Sequence, residues 1–245
     1  MNDEFNFDEQ NDQPIERAID DEPEQESHKA FYIIVAAIVL LFGGLVAYQQ
    51  LSNTPTGAVT FDDLHRLNLE GKLDPDRGYV YNGFSFVLFD GLWYTNVDVN
   101  DKLYRIPLHF GPRDLENVTA FGELGLNFNV GEEVYITISP NESGSDYVAL
   151  AASELAQNMV TAIHRAPIGS CDRNETAMCE TRPIVTCDTT DKPMVYLLNT
   201  DTPPEIELNG QCITVRGKDY DLVRAVDFLI LRWYNVFSLV GIEEQ

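Results

Sequence analysis

Residues 78–108 read GYVYNGFSFVLFDGLWYTNVDVNDKLYRIPL, a run of apolar and polar positions broken by three turn-type pairs. These pairs are Asn82-Gly83, Asp90-Gly91 and Asn100-Asp101. Two-residue loops of this kind favour type I′ turns, whose twist matches that of a β-hairpin. The stretch therefore predicts an antiparallel meander. Pro107 should lie at a sheet edge or a strand end, because proline cannot donate a ladder hydrogen bond.

Seven aromatic side chains of the meander have two interpretations. They could form a platform for glycans or another ligand, or they could fill the core of the sheet and its cross-strand pairs. We favour the second interpretation, because aromatic cross-strand pairs are a regular source of sheet stability. The seven residues are Tyr79, Tyr81, Phe84, Phe86, Phe89, Trp93 and Tyr94.

One helix signal precedes the meander and another follows it. Thr60 followed by Asp63 has the spacing of an N-cap and its partner three residues later, so a short helix is predicted to begin there. Residues 146–164 place apolar side chains at helical spacing. Ser145 or Asp146 is the expected N-cap of that second helix.

The last part of the chain alternates between strand and helix patterns. Strands are predicted at 133–139, 184–187 and 194–198, and a helix at 219–235. The clearest hairpin turns at Asn209-Gly210. That register pairs Ile206 with Ile213 on the core face and directs Cys212 to the opposite face. The whole outer region is predicted to be α+β, with two main helices.

Cys171, Cys179, Cys187 and Cys212 are the cysteines of the chain. Structural zinc usually needs close pairs such as Cys-x2-Cys, and no pair here is that close. We therefore expect disulfides, for which three connectivities are possible. We favour Cys171–Cys179, which closes a polar loop, together with Cys187–Cys212, which ties a strand to the hairpin.

Residues 30–48 contain no charge in nineteen positions, and as a helix they would be about 28 Å long. That length suits a bilayer core. A buried core helix is disfavoured by the uniform apolarity. A cleaved signal peptide is disfavoured because the preceding segment is long and acidic. We predict an uncleaved transmembrane signal anchor at 29–49, and hence the lipid bilayer as a partner.

The expected orientation places the N-terminus in the cytoplasm and the large domain outside. Lys29 and Arg17 precede the apolar stretch, whereas Arg66 is the first base after it. All four cysteines follow the anchor, which suits an oxidising space. Three glycosylation sequons also follow it, at Asn117, Asn141 and Asn174.

The net charge of −24 argues against a nucleic-acid partner, because phosphate would be repelled. Residues 1–28 hold eleven of the forty acids and one arginine, and we predict that they form a disordered tail. This tail could dock a basic partner or act as a solvated spacer. The acidity of the chain could reflect life in high salt, or it could equally come mostly from the tail. A polar linker at 50–58 then leads to the folded domain at 59–241.

No catalytic motif stands out in the sequence. His109, close to Asp114 and Glu116, is a candidate general base, but we favour a loop residue at a strand end because no partner nucleophile is evident. No histidine has metal-ligand spacing to another histidine or to a cysteine. We therefore predict no metal and no cofactor, and the sequence leaves the catalytic residues of any activity unknown.

Seven motifs within residues 60–240 resemble those of a group of uncharacterised, singly membrane-anchored envelope proteins of small-genome (DPANN-type) archaea. They are Asn82-Gly-Phe-Ser-Phe, Leu92-Trp-Tyr-Thr, Leu103-Tyr-Arg-Ile-Pro-Leu, Gly111-Pro-Arg-Asp-Leu-Glu-Asn, Tyr147-Val-Ala-Leu-Ala, Arg182-Pro-Ile-Val-Thr-Cys and Cys212-Ile-Thr-Val-Arg-Gly-Lys. The resemblance implies an archaeal cell envelope and carries over no activity or catalytic residue.

Two functional hypotheses follow. The first is an anchored extracytoplasmic domain that binds or scaffolds envelope components, with other envelope proteins or glycans as partners. The second is an envelope-localised hydrolase with an unrecognised active site. His, Asp or Glu side chains converging in an open pocket would favour the second.

Overall fold

The computed structural model of the chain describes residues 27–51, 60–140, 143–189 and 191–237. The chain divides into two compact units, Met1–Ala58 and Val59–Gln245. Most of the predicted acidic tail and most of the predicted linker lie outside the described residues.

In the first unit, helix α1 spans Ser27–Leu51. Side chains are described for its residues 31–43, and all of them are exposed. Within the part of the chain that the structure describes, no helix combines the length and the apolarity that a membrane crossing requires.

The second unit is α+β, as predicted. Its helices are α2 (Phe61–Leu69), α3 (Pro112–Leu115), α4 (Ser145–Ala162) and α5 (Tyr220–Trp233). Its strands are β1 (Gly78–Tyr81), β2 (Phe84–Phe89), β3 (Leu92–Val99), β4 (Lys102–Leu108), β5 (Thr119–Leu124), β6 (Glu133–Ile138), β7 (Ala166–Cys171), β8 (Met194–Asn199), β9 (Glu205–Gly210) and β10 (Cys212–Gly217).

The predicted meander is confirmed as an antiparallel sheet in the order β1-β2-β3-β4. Each of its three turns has two central residues with positive φ, between 47° and 87°, as type I′ turns require. Pro107 lies on the edge strand β4, opposite Tyr94. Helix α2, which lies against β1 and β2, begins with the predicted capping box of Thr60 and Asp63.

The other sheet has six strands in the order β5-β9-β10-β8-β6-β7, and the sequence did not predict it as a unit. Among the described strands of this sheet, only β9 and β10 pair antiparallel. Strands β7 and β8 both lie parallel to β6 and flank it. Helices α4 and α5 pack together and against this sheet.

The β9–β10 hairpin is present, but its predicted register is wrong by two residues. Ile206 pairs with Val215 and Leu208 with Ile213, so the loop is Gly210-Gln211. Gly210 has a φ of +60°, as the first position of a type II′ turn requires. A shift of two residues keeps every side chain on its predicted face.

Helix α4 begins differently from the prediction. Its N-cap is Gly144, with a φ of +77° and no side-chain cap, so neither Ser145 nor Asp146 has that role. A Cβ at position 144 would lie 2.2 Å from Asn199 Nδ2. The close contact with Asn199 and the left-handed backbone both select glycine there.

The main core lies between α4, α5 and the inner faces of the two sheets. Tyr79 and Phe86 are buried in it, and their rings stack with centroids 5.9 Å apart. Phe89 is 44% exposed, but its ring contacts Phe61 of α2 at 5.1 Å. The core interpretation of the meander therefore holds for Tyr79 and Phe86, whereas Phe89 lies at the surface against α2.

Residues 172–193 connect β7 to β8 across the outer face of β6, and their described parts, 172–189 and 191–193, contain no regular helix or strand. The predicted strand at 184–187 is wrong, since Ile184 forms only an isolated bridge with Cys171. Thr137 Oγ1 of β6 donates to the carbonyl of Val185 at 3.1 Å, which fixes this connection on the sheet. A small apolar cluster of Tyr135, Val185, Met194 and Cys212 lies beneath it.

Candidate functional site

His109, Glu154 and Asp227 converge from three different elements. His109 directly follows β4, Glu154 lies on α4 and Asp227 lies on α5. His109 Nδ1 is 2.5 Å from Glu154 Oε1. The partner of His109 is thus Glu154 rather than one of its sequence neighbours, since Asp114 and Glu116 are exposed on and beside the short helix α3.

Asp227 is completely buried at the centre of this group. Its Oδ2 accepts a hydrogen bond of 2.8 Å from the backbone N–H of Phe110. Burial raises the pKa of Asp227 well above its usual range, and the nearby Glu154 carboxylate raises it further. Asp227 is therefore the member of the pair that holds a proton.

Glu154 links the buried acid to the histidine. Burial raises the pKa of Glu154, while His109 opposes that effect, as does the hydrogen bond with Asp227. Among the described residues, no nitrogen or hydroxyl donor reaches Glu154 Oε2 or Asp227 Oδ1. The hydrogen bond between the two carboxyl groups thus uses a proton held by Asp227 and donated to Glu154.

Access to this acid group is restricted. The His109 side chain is 27% exposed and that of Glu154 13%, so only the histidine edge faces solvent. Two cavities of the domain are lined by other residues. The arrangement can hold a proton and join β4, α4 and α5, but no nucleophile within the described residues is in hydrogen-bond contact with His109.

A second polar group lies beneath α2. His65 Nδ1 is 2.9 Å from Ser85 Oγ, and Asn68 Nδ2 donates to the same oxygen at 2.7 Å. Asn68 also donates to the backbone carbonyls of Tyr79 and Phe86. We define His65, Asn68 and Ser85 as the α2 network.

His65 is only 6% exposed. Burial lowers its pKa, and the charge of Arg105 lowers it further. The neutral ring can accept the Ser85 hydroxyl proton at Nδ1, since Ser85 Oγ already accepts from Asn68. This network was not predicted from the sequence, although the three-residue spacing of His65 and Asn68 places both on one face of a helix.

The four cysteines form the two disulfides that the sequence analysis favoured. The Cα atoms are 5.9 Å apart in Cys171–Cys179 and 5.5 Å apart in Cys187–Cys212. Both bridges hold the connection from β7 to β8. In the described part of the chain, no cluster of three His, Cys, Asp or Glu side chains is arranged to hold a metal ion.

The structure describes two of the three glycosylation sequons. Asn117 and Asn174 are exposed, and Asn174 lies in the loop that Cys171–Cys179 closes. Asn141 lies outside the described residues. Comparisons with known protein families, with curated proteins and with solved structures find no match for this chain.

Proposed function

We propose that this chain is a membrane-anchored extracytoplasmic protein whose α+β domain binds or scaffolds other components of the cell envelope. The observation that carries the proposal is the pair of disulfides, Cys171–Cys179 and Cys187–Cys212. Disulfides persist in oxidising spaces outside the cytoplasm and are rare within it. The resemblance to archaeal envelope proteins is in keeping with this location.

Support for the anchor comes from the sequence and from the surface of α1. The uncharged stretch 30–48 extends beyond residues 31–43, the part of α1 whose side chains are described. In that described part, Tyr32, Leu40 and Phe42 are each at least 65% exposed. A contiguous apolar surface of this kind needs a cover, and lipid is the cover that the proposal assigns.

Protease accessibility in intact cells tests the proposal. With epitopes at both ends of the full chain, external protease should remove the large domain and spare the N-terminal epitope. Lysed cells, in which both epitopes should be lost, are the control. Loss of the N-terminal epitope alone from intact cells would reverse the orientation.

Thiol labelling provides an independent test of the compartment. Protein that is denatured without reductant should take up no maleimide, whereas reduced protein should take up four per chain. Four reactive thiols without reduction would overturn the extracytoplasmic assignment. The partners proposed are envelope proteins or glycans, and the charge of −24 argues against nucleic acid.

The second candidate, an envelope hydrolase, is favoured by one contact. A serine hydroxyl within hydrogen-bond reach of a neutral imidazole is the arrangement of an activated nucleophile, and Ser85 Oγ meets His65 Nδ1 in this way. Against it, His65 Nε2 is buried and meets no orienting carboxylate among the described residues. Labelling by a fluorophosphonate probe that disappears in Ser85→Ala would favour the hydrolase, and absence of labelling would favour the scaffold.

A further inference from the structure

Three aromatic rings meet at the surface where α4 and α5 begin. Tyr147 lies in the first turn of α4 and Tyr220 in the first turn of α5, and their ring centroids are 4.9 Å apart. The Phe110 ring lies 6.3 Å from that of Tyr220. Tyr220 is 52% exposed, and the other two side chains are half-buried. Unlike the buried rings of the meander, this group is open to solvent.

The two helices place these rings in line with the acid group. Seven positions, close to two helical turns, separate Tyr147 from Glu154 and Tyr220 from Asp227. Each pair therefore lies on one face of its helix, and the hydrogen bond between the two carboxyl groups shows that the helices run side by side in the same direction. The edge of His109, which contacts Glu154, thus lies about 10 Å along the helices from the tyrosine rings.

Two fixed polar side chains lie along the same line. Arg224 Nη1 donates to Asp221 Oδ1 at 2.7 Å, and the guanidinium lies 4.8 Å from the centroid of the Phe110 ring. These contacts hold the guanidinium at the surface, where the Arg224 side chain is 34% exposed. His109 uses Nδ1 for Glu154, so its Nε2 is the ring nitrogen available at the solvent edge.

Exposed rings beside fixed hydrogen-bonding groups have the chemistry that recognises a sugar. The C–H groups on the face of a pyranose pack against an aromatic ring, and its hydroxyls form hydrogen bonds with guanidinium and imidazole groups. Two linked pyranose rings cover the distance from the tyrosines to the histidine. A stable protein interface needs about 800 Å² from each partner, far more than three rings and two polar side chains offer. We define the α4–α5 face as His109, Phe110, Tyr147, Tyr220 and Arg224.

The charges beside the α4–α5 face favour a neutral sugar. Asp146 is exposed next to Tyr147, and Glu154 lies beside His109. The positive charge of Arg224 is already balanced by Asp221. The whole chain carries a charge of −24, so a glycan with carboxylate or sulfate groups would be repelled.

We propose that the α4–α5 face binds a neutral oligosaccharide of the cell envelope, with one sugar ring stacked on Tyr220 and hydroxyls of the next bonded to Arg224 and His109. This inference rests on the proposed function, since it names the envelope component that the domain binds. The two are tested separately, because protease accessibility and thiol labelling report the location of the domain whether or not it binds a sugar.

Isothermal titration calorimetry of the full chain tests the proposal. The protein is kept in a detergent without a sugar headgroup, so that no micelle competes for the face. The probes are neutral hexasaccharides of glucose, mannose, galactose and N-acetylglucosamine, with a galacturonate hexasaccharide as the charged comparison. At least one neutral probe should bind with a dissociation constant of about 1 mM or lower, and the charged probe should bind more weakly.

Substitutions then locate the bound sugar. Tyr220→Ala should weaken binding by about tenfold or more, whereas Tyr220→Phe, which keeps the ring, should stay within about threefold. Phe121→Ala is the matched control, because Phe121 is an aromatic residue of β5 that is 46% exposed. Circular dichroism checks that each variant folds.

Three results would overturn the proposal. They are no binding of any neutral probe at millimolar concentration, tighter binding of the galacturonate probe, and an affinity that Tyr220→Ala lowers no more than Phe121→Ala does. If the large domain is nevertheless shown to lie outside the cell, the first of these results removes the glycan site and leaves the proposed location in place.

Discussion

The α2 network and the Glu154–Asp227 pair are both buried groups of polar side chains, but they respond to protons in opposite ways. Beneath α2, His65 is held neutral because burial lowers its pKa. Between α4 and α5, Asp227 is held neutral because burial raises its pKa. Burial favours the uncharged form in both regions, and the uncharged form of an acid carries the proton while that of a base lacks it.

The opposite shifts give opposite dependences of folding stability on pH. For His65 the pKa in the folded state lies below the unfolded value of about 6.5. The contribution of His65 to folding stability is therefore lost as pH falls through the folded pKa. For Glu154 and Asp227 the folded pKa lies above the unfolded value, so their contribution is complete in acid and is lost as pH rises through the folded pKa. The two regions therefore give the free energy of unfolding pH dependences of opposite sign.

The largest expected effect is that of Asn68→Ala, which disrupts the α2 network. The change removes an amide whose two N–H groups are shared among three acceptors, Ser85 Oγ and the carbonyls of Tyr79 and Phe86. We expect a loss of about 3 kcal/mol in the free energy of unfolding. Denaturant titration measures it, with the exposed Asn127→Ala as control, and a loss no greater than that of the control would contradict the importance assigned to the network.

Asp227→Asn should remove the pH dependence that the Glu154–Asp227 pair gives to folding stability. An amide can accept from Phe110 N–H and donate to Glu154 at any pH, as only the protonated acid can in the natural protein. We expect Tm to rise by about 2–4 °C near neutral pH, corresponding to about 1 kcal/mol, and to be nearly unchanged in acid. Asp98→Asn, at an exposed site, is the control, and a lower Tm at neutral pH would show that Asp227 is needed as a charge.

His65→Gln should weaken the dependence of folding stability on pH on the acid side of neutrality. Glutamine cannot take up a proton, so the fall in Tm between about pH 7 and pH 5 should become smaller. We expect a loss of about 1 kcal/mol at neutral pH from the altered contact with Ser85. Thermal unfolding over this range measures both effects, with exposed His164→Gln as control, and an unchanged acid slope would rule out His65 as its source.

The smallest effect is expected from His109→Gln at the solvent edge of the acid pair. Because the ion pair with Glu154 is partly exposed, its loss should cost about 0.5–1 kcal/mol. The pKa of Glu154 should nevertheless rise, since His109 is the main group that lowers it. Carboxyl NMR titration follows Glu154 directly, and a midpoint that stays in place would contradict the coupling.

Features fixed by short stretches of sequence were predictable. The turns at Asn82-Gly83, Asp90-Gly91 and Asn100-Asp101 need positive φ at their own residues, so the meander could be predicted from the sequence. The turn was predicted one residue too early, at Asn209-Gly210 instead of Gly210-Gln211, because either dipeptide that contains Gly210 can form a two-residue loop. The predicted core face was nevertheless correct, since side chains alternate with a period of two.

Features that depend on distant partners were not predictable. The mixed sheet pairs Thr119 with Glu205 and Glu133 with Ala166 through parallel ladders, which leave no local turn signal. The acid pair joins residues 73 positions apart on two helices. Asp227 between Val226 and Phe228 was the one available signal, because a carboxylate within an apolar helix face needs a partner.

The even spacing of three cysteines allows a non-native disulfide to compete with a native one while the domain folds. Cys171–Cys179 spans eight positions, and a bond between Cys179 and Cys187 would span eight as well. Loop closure therefore costs the same entropy for the native bond and for this competitor, and the competitor can form before Cys212 is available. The sheet, which brings Cys187 to Cys212, distinguishes them, and a chain that first closes Cys179–Cys187 reaches the native pairing only through thiol–disulfide exchange.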